Sequence, residues 1–468
     1  MFRCTRLPPG PTPFPIVGNL FQLKSRNIIQ SLTKLYKKYG PVFTIYRGNR
    51  PLVMMCGYEA VKEALIDQAD DFYDRGRIPA LEKIFHDFGV GVLRGDQWKQ
   101  IRAFSLKTLR ELGMGKRNFE ELMKDEAQCL VKEIRNTKQL PVDPSSYLTQ
   151  ASANIISSIM LGKRFVYGDK EWMNILDDMN ECFHIMDSFW GKLYDLIPEV
   201  MRYLPGPHNR MFKCMEGLTN FITHRVKLKH ETLDPSCPRD FSDYFLIRME
   251  QEKQNPFSQF SEINLVMTIL GTYIGGVETV SSTLKYGFLI LLKYPQIEEK
   301  IHEEIDSVVG QNHMPSMNDR SKLHYTNAVI HEIQRFGDII PLGGTHTVVR
   351  DTHFRKYTIP KGTNVRIFLS SVLSDPKYFN DPENFNPGHF LDENGDFKAN
   401  EAFIPFSMGK RNCLGEGLAR MELYLFFTAI LKNFSLNSVL QPPKIDLTPV
   451  VKGIETIVPS YEVHFLPR

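Results

Sequence analysis

The chain has 468 residues, of which 42% are hydrophobic and 24% are charged, and its formal net charge is +3. This composition is typical of a globular protein with one large fold or two to three domains, and 57 basic residues against 54 acidic ones give no indication of nucleic-acid binding. The seven cysteines are scattered and lack C-x-x-C spacing, which argues against a zinc site and a disulfide framework and favours a reducing compartment. No run of about 18 apolar residues and no apolar signal sequence is present, so we expect no segment that spans a bilayer.

The N-terminal arm is rich in proline and is considered separately from the rest of the chain. The stretch from Leu7 to Pro15 is typical of an extended polyproline segment, and Gly18-Asn19 then turns the chain. Composition therefore indicates a terminal arm over 1–19.

Apolar periodicity and turn residues predict four elements before residue 96. They are a helix over 27–39 that ends at Gly40-Pro41, a β-hairpin with strands over 42–46 and 52–55, a short helix over 59–66, and a long glycine-containing loop over 80–95. Trp98 and Arg102 follow at i, i+4 spacing and therefore share one face of a helix. These two residue types alone favour a Trp–Arg surface stack.

The stretch after Trp98 is basic, and its cations are Lys99, Lys107, Arg110, Lys116 and Arg117. Such a run is usually a solvated helix face; the alternative is a docking surface for an acidic electron donor. The alternative arises because the chain contains neither G-x-G-x-x-G nor G-x-x-x-x-G-K-[ST]. Any electrons for redox chemistry would therefore come from another protein.

Residues 118–250 are predicted to be mainly helical, with breaks near 141–144 and 198–207. One helical stripe in this region is aromatic and Met-rich: Phe183, Met186, Phe189 and Trp190. Such a stripe favours core packing, with the roof of a pocket as the alternative.

The second central element is a helix predicted over 261–293, which is free of proline and would be about 50 Å long. Its middle carries Gly275-Gly276, followed at once by Glu278 and Thr279. Two glycines cost about 2 kcal/mol of helix propensity relative to alanine. They indicate either a close helix crossing or a locally opened helix, whose acid and alcohol could supply protons to a small ligand.

The last third of the chain mixes helices and short strands. A helix over 327–336 places Glu332 and Arg335 side by side, and a pair of this kind is most often a surface ion pair. The other expected features are strands near 347–350 and 365–369, a loop histidine at His346, and a hairpin tip over 451–456.

The most informative stretch is F-x-x-G-x-R-x-C-x-G over 406–415, which precedes an apolar helical run. Most free cysteines are small buried hydrophobes, so the spacing matters more than Cys413 alone. A thiolate is stabilised at a helix N-terminus, and Gly409 and Gly415 would let the backbone come close to the group that the sulfur binds. Arg411 suits a carboxylate. Together they fit a haem iron with carboxylate arms.

This pattern resembles the cysteine-ligand loop of the haem-thiolate monooxygenases, the cytochrome P450 superfamily. The resemblance extends over 7–468. The amino-acid sequences of 10–19 and 385–392 are most similar to those of the vertebrate microsomal family 2 enzymes. It implies a mainly α fold with small β-sheets and one catalytic domain over 20–468. Haem b would lie between the long central helix and the Cys413 loop.

The resemblance also implies roles for single residues. Cys413 would be the metal ligand, and Glu278 and Thr279 would be catalytic, although Val280 departs from the family's final T/S. The expected cofactor contacts are Trp98, Arg102, Gly275, Gly276, His346, Phe406, Arg411, Cys413 and Gly415. Glu332, Arg335 and His389 would form a buried ion network, in which His389 replaces the usual arginine. The expected substrate pocket is apolar and comprises Phe85, Phe88, Phe183, Phe189, Ile269, Gly275, Thr279, Ile340, Leu342 and Ile454.

The implied activity inserts one atom of O₂ into a lipophilic small molecule, such as a fatty acid, a steroid or a foreign compound. Electrons would come from NADPH through a flavoprotein reductase, with cytochrome b5 as a further candidate donor. The implied location is the cytosolic face of the endoplasmic reticulum membrane, although the family's N-terminal anchor is missing from this chain. Two rival functions remain: a haem-thiolate isomerase or dehydratase that needs no reductase, and a non-catalytic haem sensor.

Overall fold

The computed structural model describes residues 7–23, 27–115, 117–310 and 313–468. The start of the proline-rich arm and Lys116 of the basic stretch lie outside the described residues. Within these ranges the protein is mainly helical with four small sheets, as the sequence predicted.

The helices follow one another through the whole chain. They are α1 (Ile28–Tyr39), α2 (Tyr58–Lys62), α3 (Ala69–Phe72), α4 (Pro79–Phe85), α5 (Gly95–Leu112), α6 (Arg117–Asn136), α7 (Ser145–Leu161), α8 (Lys170–Asp187), α9 (Phe189–Leu196), α10 (Pro198–Met201), α11 (Pro207–Glu231), α12 (Phe241–Gln251), α13 (Glu262–Gly276), α14 (Glu278–Lys293), α15 (Pro295–Val308), α16 (His324–Gly337), α17 (Ser370–Leu373) and α18 (Glu416–Asn433). A π-helical turn, Glu63–Asp67, follows α2, and a 3-10 turn, Gly409–Arg411, precedes α18.

The strands form one sheet of five and three pairs. They are β1 (Val42–Arg47), β2 (Arg50–Cys56), β3 (Asp74–Arg75), β4 (Leu342–Thr347), β5 (Thr352–Phe354), β6 (Tyr357–Ile359), β7 (Asn364–Phe368), β8 (Phe434–Asn437), β9 (Val451–Lys452), β10 (Thr456–Ile457) and β11 (His464–Pro467). The large sheet has the order β1-β2-β7-β4-β3, so the predicted hairpin, β1 and β2, forms one edge. The predicted hairpin near the C-terminus is β9 and β10.

Two local predictions were wrong. The expected loop over 80–95 begins as a helix, α4, because Pro79 occupies the first helical position, where its fixed φ favours a helix start. The strand expected near 347–350 begins earlier, at Leu342, so His346 lies in β4 rather than in a loop. Within this strand, Gly344 leaves room for the end of the Arg75 side chain, which a Cβ there would crowd.

The long central helix is present as α13 and α14, which are separated at Val277, directly after the glycine pair. Both segments are lined with fully buried side chains and pack against α7, and α14 also packs against α16 and α18. By length and composition alone, Glu262–Lys293 could cross a membrane, but 56% of its most apolar stretch is buried within the protein. That burial is typical of the core helix of a globular fold.

The N-terminal arm lies along β1 and is fixed to it by hydrogen bonds. The hydroxyl of Thr44 donates to the Pro8 carbonyl at 2.8 Å, and the Thr44 amide donates to the Pro9 carbonyl at 2.9 Å. Further along, the Tyr46 amide donates to the Asn19 side chain at 2.6 Å. The described part of the arm therefore extends the sheet region rather than standing apart from it.

Candidate active site

The cysteine loop is a tight turn between the 3-10 turn and α18. The Cys413 amide donates to the Phe406 carbonyl at 3.0 Å, which closes the loop. Gly409 has φ +76°, and a Cβ there would overlap the Leu65 carbonyl of the π-helical turn, so this glycine serves packing rather than access to a ligand. No atom lies within 4 Å of the position that a Cβ of Gly415 would take, so the other glycine does face open space.

The Cys413 side chain is surrounded by protein and yet retains exposed surface. Burial raises the pKa of its thiol, and this outweighs the Gly415 N–H that hydrogen-bonds the sulfur; Glu416 raises the pKa further, whereas Arg102 lowers it. Burial thus opposes the thiolate that the helix N-terminus favours. A bound metal ion would supply the missing positive charge, because a coordinating thiol is deprotonated outright.

Three guanidinium groups, those of Arg75, Arg102 and Arg411, lie together next to this loop. Burial, and then the nearby Arg75, lower the pKa of Arg411 to about 8. Burial also lowers the pKa of Arg75 to about 10, with a contribution from Arg102. The Arg411 guanidinium donates to the carbonyls of Tyr73 and Leu93, but its Nη1 is buried without a hydrogen-bond partner among the described residues.

This cationic cluster fits a ligand with two carboxylates. Among the residues that the structure describes, Asp74 is the carboxylate placed against Arg75 and Arg411, so three positive charges meet one negative charge there. The two propionates of haem b would balance the remaining charge and would give the free Nη1 of Arg411 an acceptor. The donor set beside Cys413 therefore suits haem.

Arg75 was missed by the sequence analysis. It is an isolated arginine with no motif around it, and its place is set by the pairing of β3 with β4, in which Arg75 lies opposite His346. Only the pairing of two strands far apart in the sequence could have revealed it.

Trp98 and Arg102 are not a surface stack. The Trp98 ring is 4% exposed, and its centroid lies 3.7 Å from the guanidinium carbon of Arg411 and 5.7 Å from that of Arg102. The Nη2 of Arg102 donates to the backbone oxygen of Asn412 at 2.9 Å and to its side-chain oxygen at 2.6 Å. Arg102 therefore ties α5 to the residue directly before Cys413.

His346 is buried beside the same cluster, where the sequence predicted a hydrogen-bond donor to a propionate. Its Nδ1 lies 2.8 Å from the Phe72 carbonyl, to which a neutral ring donates. Burial, and then the nearby Arg75, lower its pKa to about 3. A donor role toward a carboxylate would therefore require a proton on Nε2 as well, and a nearby carboxylate would favour that proton.

The glycine pair serves both purposes that the sequence left open. A Cβ on Gly276 would come within 2.6 Å of the Ile156 side chain, so this glycine permits the crossing of α13 and α7. Gly275 is exposed, and no atom lies within 4 Å of its Cβ position. The Thr279 hydroxyl lies one turn further on and donates to the Gly275 carbonyl at 2.7 Å.

Glu278 and Thr279 have different hydrogen-bond partners. The Glu278 carboxylate accepts from the Ser282 hydroxyl at 3.0 Å and borders a polar cavity of about 390 Å³. Burial raises the pKa of Glu278, against the smaller effects of Ser282 and Lys285, which lower it. The carboxyl is thus held on one side of α14, about 100° around the helix from the hydroxyl.

Comparison with known proteins agrees with this geometry. The family model described as Cytochrome P450 matches residues 8–465. The chain belongs to the cytochrome P450 family. It is 52% identical to Cytochrome P450 2G1 of Oryctolagus cuniculus over 463 residues, which cover 99% of this chain and 94% of the relative. It is 53% identical to Cytochrome P450 2G1 of Rattus norvegicus over 466 residues (100% and 94%), and 50% identical to Cytochrome P450 2A6 of Homo sapiens over 463 residues (99% and 94%).

Membership confirms the predicted family, fold and reaction class. The chain is a family 2 P450, a haem-iron monooxygenase of lipophilic small molecules that include foreign compounds. Its cofactor is haem b, O₂ is its co-substrate, and NADPH supplies electrons through a redox-partner reductase. Its microsomal relatives associate it with the endoplasmic reticulum.

The ion network of this P450 is compact and buried. The Arg335 guanidinium donates to both carboxylate oxygens of Glu332 at 2.7 Å, and the Nδ1 of His389 lies 3.1 Å from Glu332. The three side chains are 1%, 0% and 4% exposed. Burial disfavours the charged form of His389, but the hydrogen bonds to Glu332 and to the Asn380 carbonyl prevail and raise its pKa.

Four of the residues expected to form the substrate pocket border two different cavities. Phe189, Leu342 and Ile454 border an apolar cavity of about 340 Å³, whereas Phe183 borders the polar cavity. Phe85 belongs to the main hydrophobic core. Phe88 and Ile340 are partly buried and pack against that core.

Phe85 and Ile269 differ in their relation to the open face of the central helix. Phe85 lies 3.6 Å from the Cβ position of Gly271, one turn before Gly275 on the same face. Ile269 has no exposed surface and lies about 120° around the helix from Gly275, so its assignment to the pocket stays a prediction.

Proposed function

We propose that Cys413 is the iron ligand of haem b in this monooxygenase and that Arg75, Arg102 and Arg411 hold the two propionates. The observation that carries the assignment is the buried cluster of three guanidiniums beside the only loop cysteine that precedes a long core helix within the described residues. Bound haem supplies the activation of O₂. Trp98 shields the guanidiniums from water, and Phe406 and Gly415 complete the loop around the sulfur.

In this proposal Glu278 and Thr279 handle protons. Burial raises the pKa of Glu278, so its carboxyl holds a proton at a higher pH than an exposed glutamate does. Ser282 and the polar cavity, which reaches the exposed Asp143, connect Glu278 with solvent. The Thr279 hydroxyl donates to the Gly275 carbonyl and must rotate away from it to pass a proton to a ligand in the open space next to Gly275.

The apolar cavity next to the hairpin tip supports lipophilic substrates for this enzyme. Its volume of about 340 Å³ lies in the range of small-molecule sites, and Phe189, Leu342 and Ile454 offer apolar contacts. Fatty acids, steroids and foreign compounds share the required chemistry.

Docking of the reductase is proposed on the basic face of α5, because Arg102 on this helix holds the Cys413 loop. Lys99 and Lys107 are already paired with the neighbouring Asp96 and Glu111, so these cations form a mixed rather than a purely basic surface. Cytochrome b5 would use the same face. Replacement of the exposed lysines of α5 by acidic residues should weaken binding of the reductase without changing the haem content.

A membrane surface is proposed as the setting, at the cytosolic face of the endoplasmic reticulum. Large apolar side chains are exposed on the N-terminal arm and around α9 and α10. They include Phe14, Ile16, Phe21, Phe189, Trp190, Val200, Tyr203 and Leu204. Such exposed apolar side chains are typical of a surface that contacts lipid.

Haem retention tests the central assignment. Arg75→Gln should release haem more easily than the matched control Arg77→Gln, because Arg77 is exposed and outside the cluster. The ratio of Soret to protein absorbance after dialysis measures this release. Equal haem content in the two variants would contradict the role of Arg75, whereas product formation without NADPH and reductase would instead favour the isomerase function.

A further inference from the structure

The tip of the β9–β10 hairpin separates two cavities. Ile454 borders the apolar cavity, whereas the next residue, Glu455, borders the polar cavity of about 390 Å³. The Asp187 carboxylate at the end of α8 fixes the tip, since it accepts from the Ile454 amide at 3.1 Å and from the Glu455 amide at 3.3 Å. The direction of the Glu455 side chain is therefore set by its backbone.

Glu455 is a buried acid without a partner. The residue is 6% exposed, and its Oε1 has no hydrogen-bond partner within the described ranges. Burial, and then the carboxyl groups of Glu278 and Asp187, raise its pKa well above the usual range. A buried, unpaired carboxylate is costly, so this group requires either a proton or a cation from outside the protein.

The cations near the cavity are directed at other acids. Lys285 borders the same cavity. Burial lowers its pKa, whereas the acids Asp143 and Glu278 act in the opposite direction. The ammonium group of Lys192 lies 3.8 Å from Asp187. Burial and the carboxyl groups of Glu278 and Asp187 all disfavour the charged form of Glu455, so its carboxylate is the one that an incoming cation would neutralise.

We propose that this cavity binds the protonated amine of a lipophilic amine substrate, with Glu455 as its counter-ion; the proposal rests on the monooxygenase function above. Phe183 and Val458 line the cavity next to Glu455 and supply apolar contacts, and an aromatic ring favours an ammonium group over its face. A metal ion would need several oxygen ligands around one point, which this mixed lining does not offer. The cavity volume suits a small organic cation.

Two probes of the same shape test the proposal: benzyltrimethylammonium and its neutral analogue neopentylbenzene. The fixed charge of the first cannot be removed by pH, and its quaternary nitrogen cannot coordinate iron. Dissociation constants would be measured by equilibrium dialysis with the haem-loaded wild type, with Glu455→Gln and with the exposed control Glu462→Gln. In Glu455→Gln the preference for the cation over the neutral probe should fall by at least about tenfold, as expected for loss of one charge-assisted contact.

The control variant should keep the wild-type preference, and binding of neopentylbenzene should be similar in all three proteins. An unchanged preference in Glu455→Gln, or equal weakening of both probes, would overturn the proposal. So would failure of the wild type to bind the cation, even if the enzyme still oxidises neutral lipophilic compounds with NADPH and reductase. The last result would leave the proposed monooxygenase function intact.

Discussion

Replacement of His389 by alanine should destabilise this P450 in a pH-dependent manner. The Nδ1 of His389 lies 3.1 Å from the fully buried Glu332, which Arg335 also holds with two hydrogen bonds of 2.7 Å. The variant therefore removes one positive partner of a carboxylate and leaves the other in place. The loss of stability in His389→Ala should therefore be smaller than the loss caused by leaving a buried charge entirely unpaired.

The expected size follows from one charge-assisted hydrogen bond, about 1.5–3 kcal/mol in the free energy of unfolding. A chain of 468 residues has an unfolding entropy of about 1 kcal/mol per kelvin, so the melting temperature should fall by about 1.5–3 °C. Because the folded state raises the pKa of His389 above its ordinary value of 6.5, the stabilisation is complete below pH 6.5. It is lost as the pH rises through the raised pKa.

The assay is unfolding of wild type, His389→Ala, His389→Arg and the exposed control His230→Ala at pH 6 and pH 9. Large haem proteins often unfold irreversibly, so the rate of loss of the Soret band at fixed temperature is the safer measure. We expect a larger difference between wild type and His389→Ala at pH 6 than at pH 9, and an arginine variant that stays stable at both. The same difference at both pH values would refute the reasoning.

Four further outcomes follow from the site. Cys413→Ala should abolish thiolate ligation of haem; a reduced CO complex with the Soret band in the thiolate position would contradict it. Thr279→Ala should divert electrons from product to peroxide, and unchanged coupling of NADPH to product would count against the proton role. Arg411→Gln should speed haem loss at least about tenfold, since a buried charge-assisted contact disappears; transfer of haem to apomyoglobin measures it. Gly409→Ala should cost about 1–2 kcal/mol for its left-handed backbone and more for the overlap with Leu65, and a wild-type denaturation midpoint would disprove this.

Features with local causes could be predicted from the sequence. The first helix begins at Asn27, whose side chain accepts from the Gln30 amide, and it ends at Gly40, whose φ is +88°. The central helix is interrupted directly after the glycine pair, one of the two alternatives that the sequence left open, because the propensity cost of Gly275-Gly276 lies within the helix itself. The helix that follows the cysteine loop could likewise be predicted from its own apolar residues.

Features that depend on distant parts of the chain could not be predicted. Arg75 joins the cationic cluster only because β3 pairs with β4, which lies more than 260 residues away in the sequence. The different roles of Gly275 and Gly276 depend on where α7 crosses the helix, and no pattern in the helix reveals that. The sequence placed Glu455 in a hairpin tip, but it could not indicate that this residue borders a polar cavity beside α14.

The two buried charge clusters of this enzyme have opposite signs and lie on different elements. Three guanidiniums on β3, α5 and the cysteine loop favour carboxylates, whereas Glu278 on α14 and Glu455 on the hairpin favour protons or cations. With haem bound, Asp74 and the two propionates would balance the first cluster, so a ligand that carries both an amine and an apolar body is attracted mainly by the second. Its orientation is set by charge before any shape selection, so a neutral analogue should give a wider range of oxidation products than the amine does. A product distribution that is the same for both would mean that the acidic cluster does not orient the substrate.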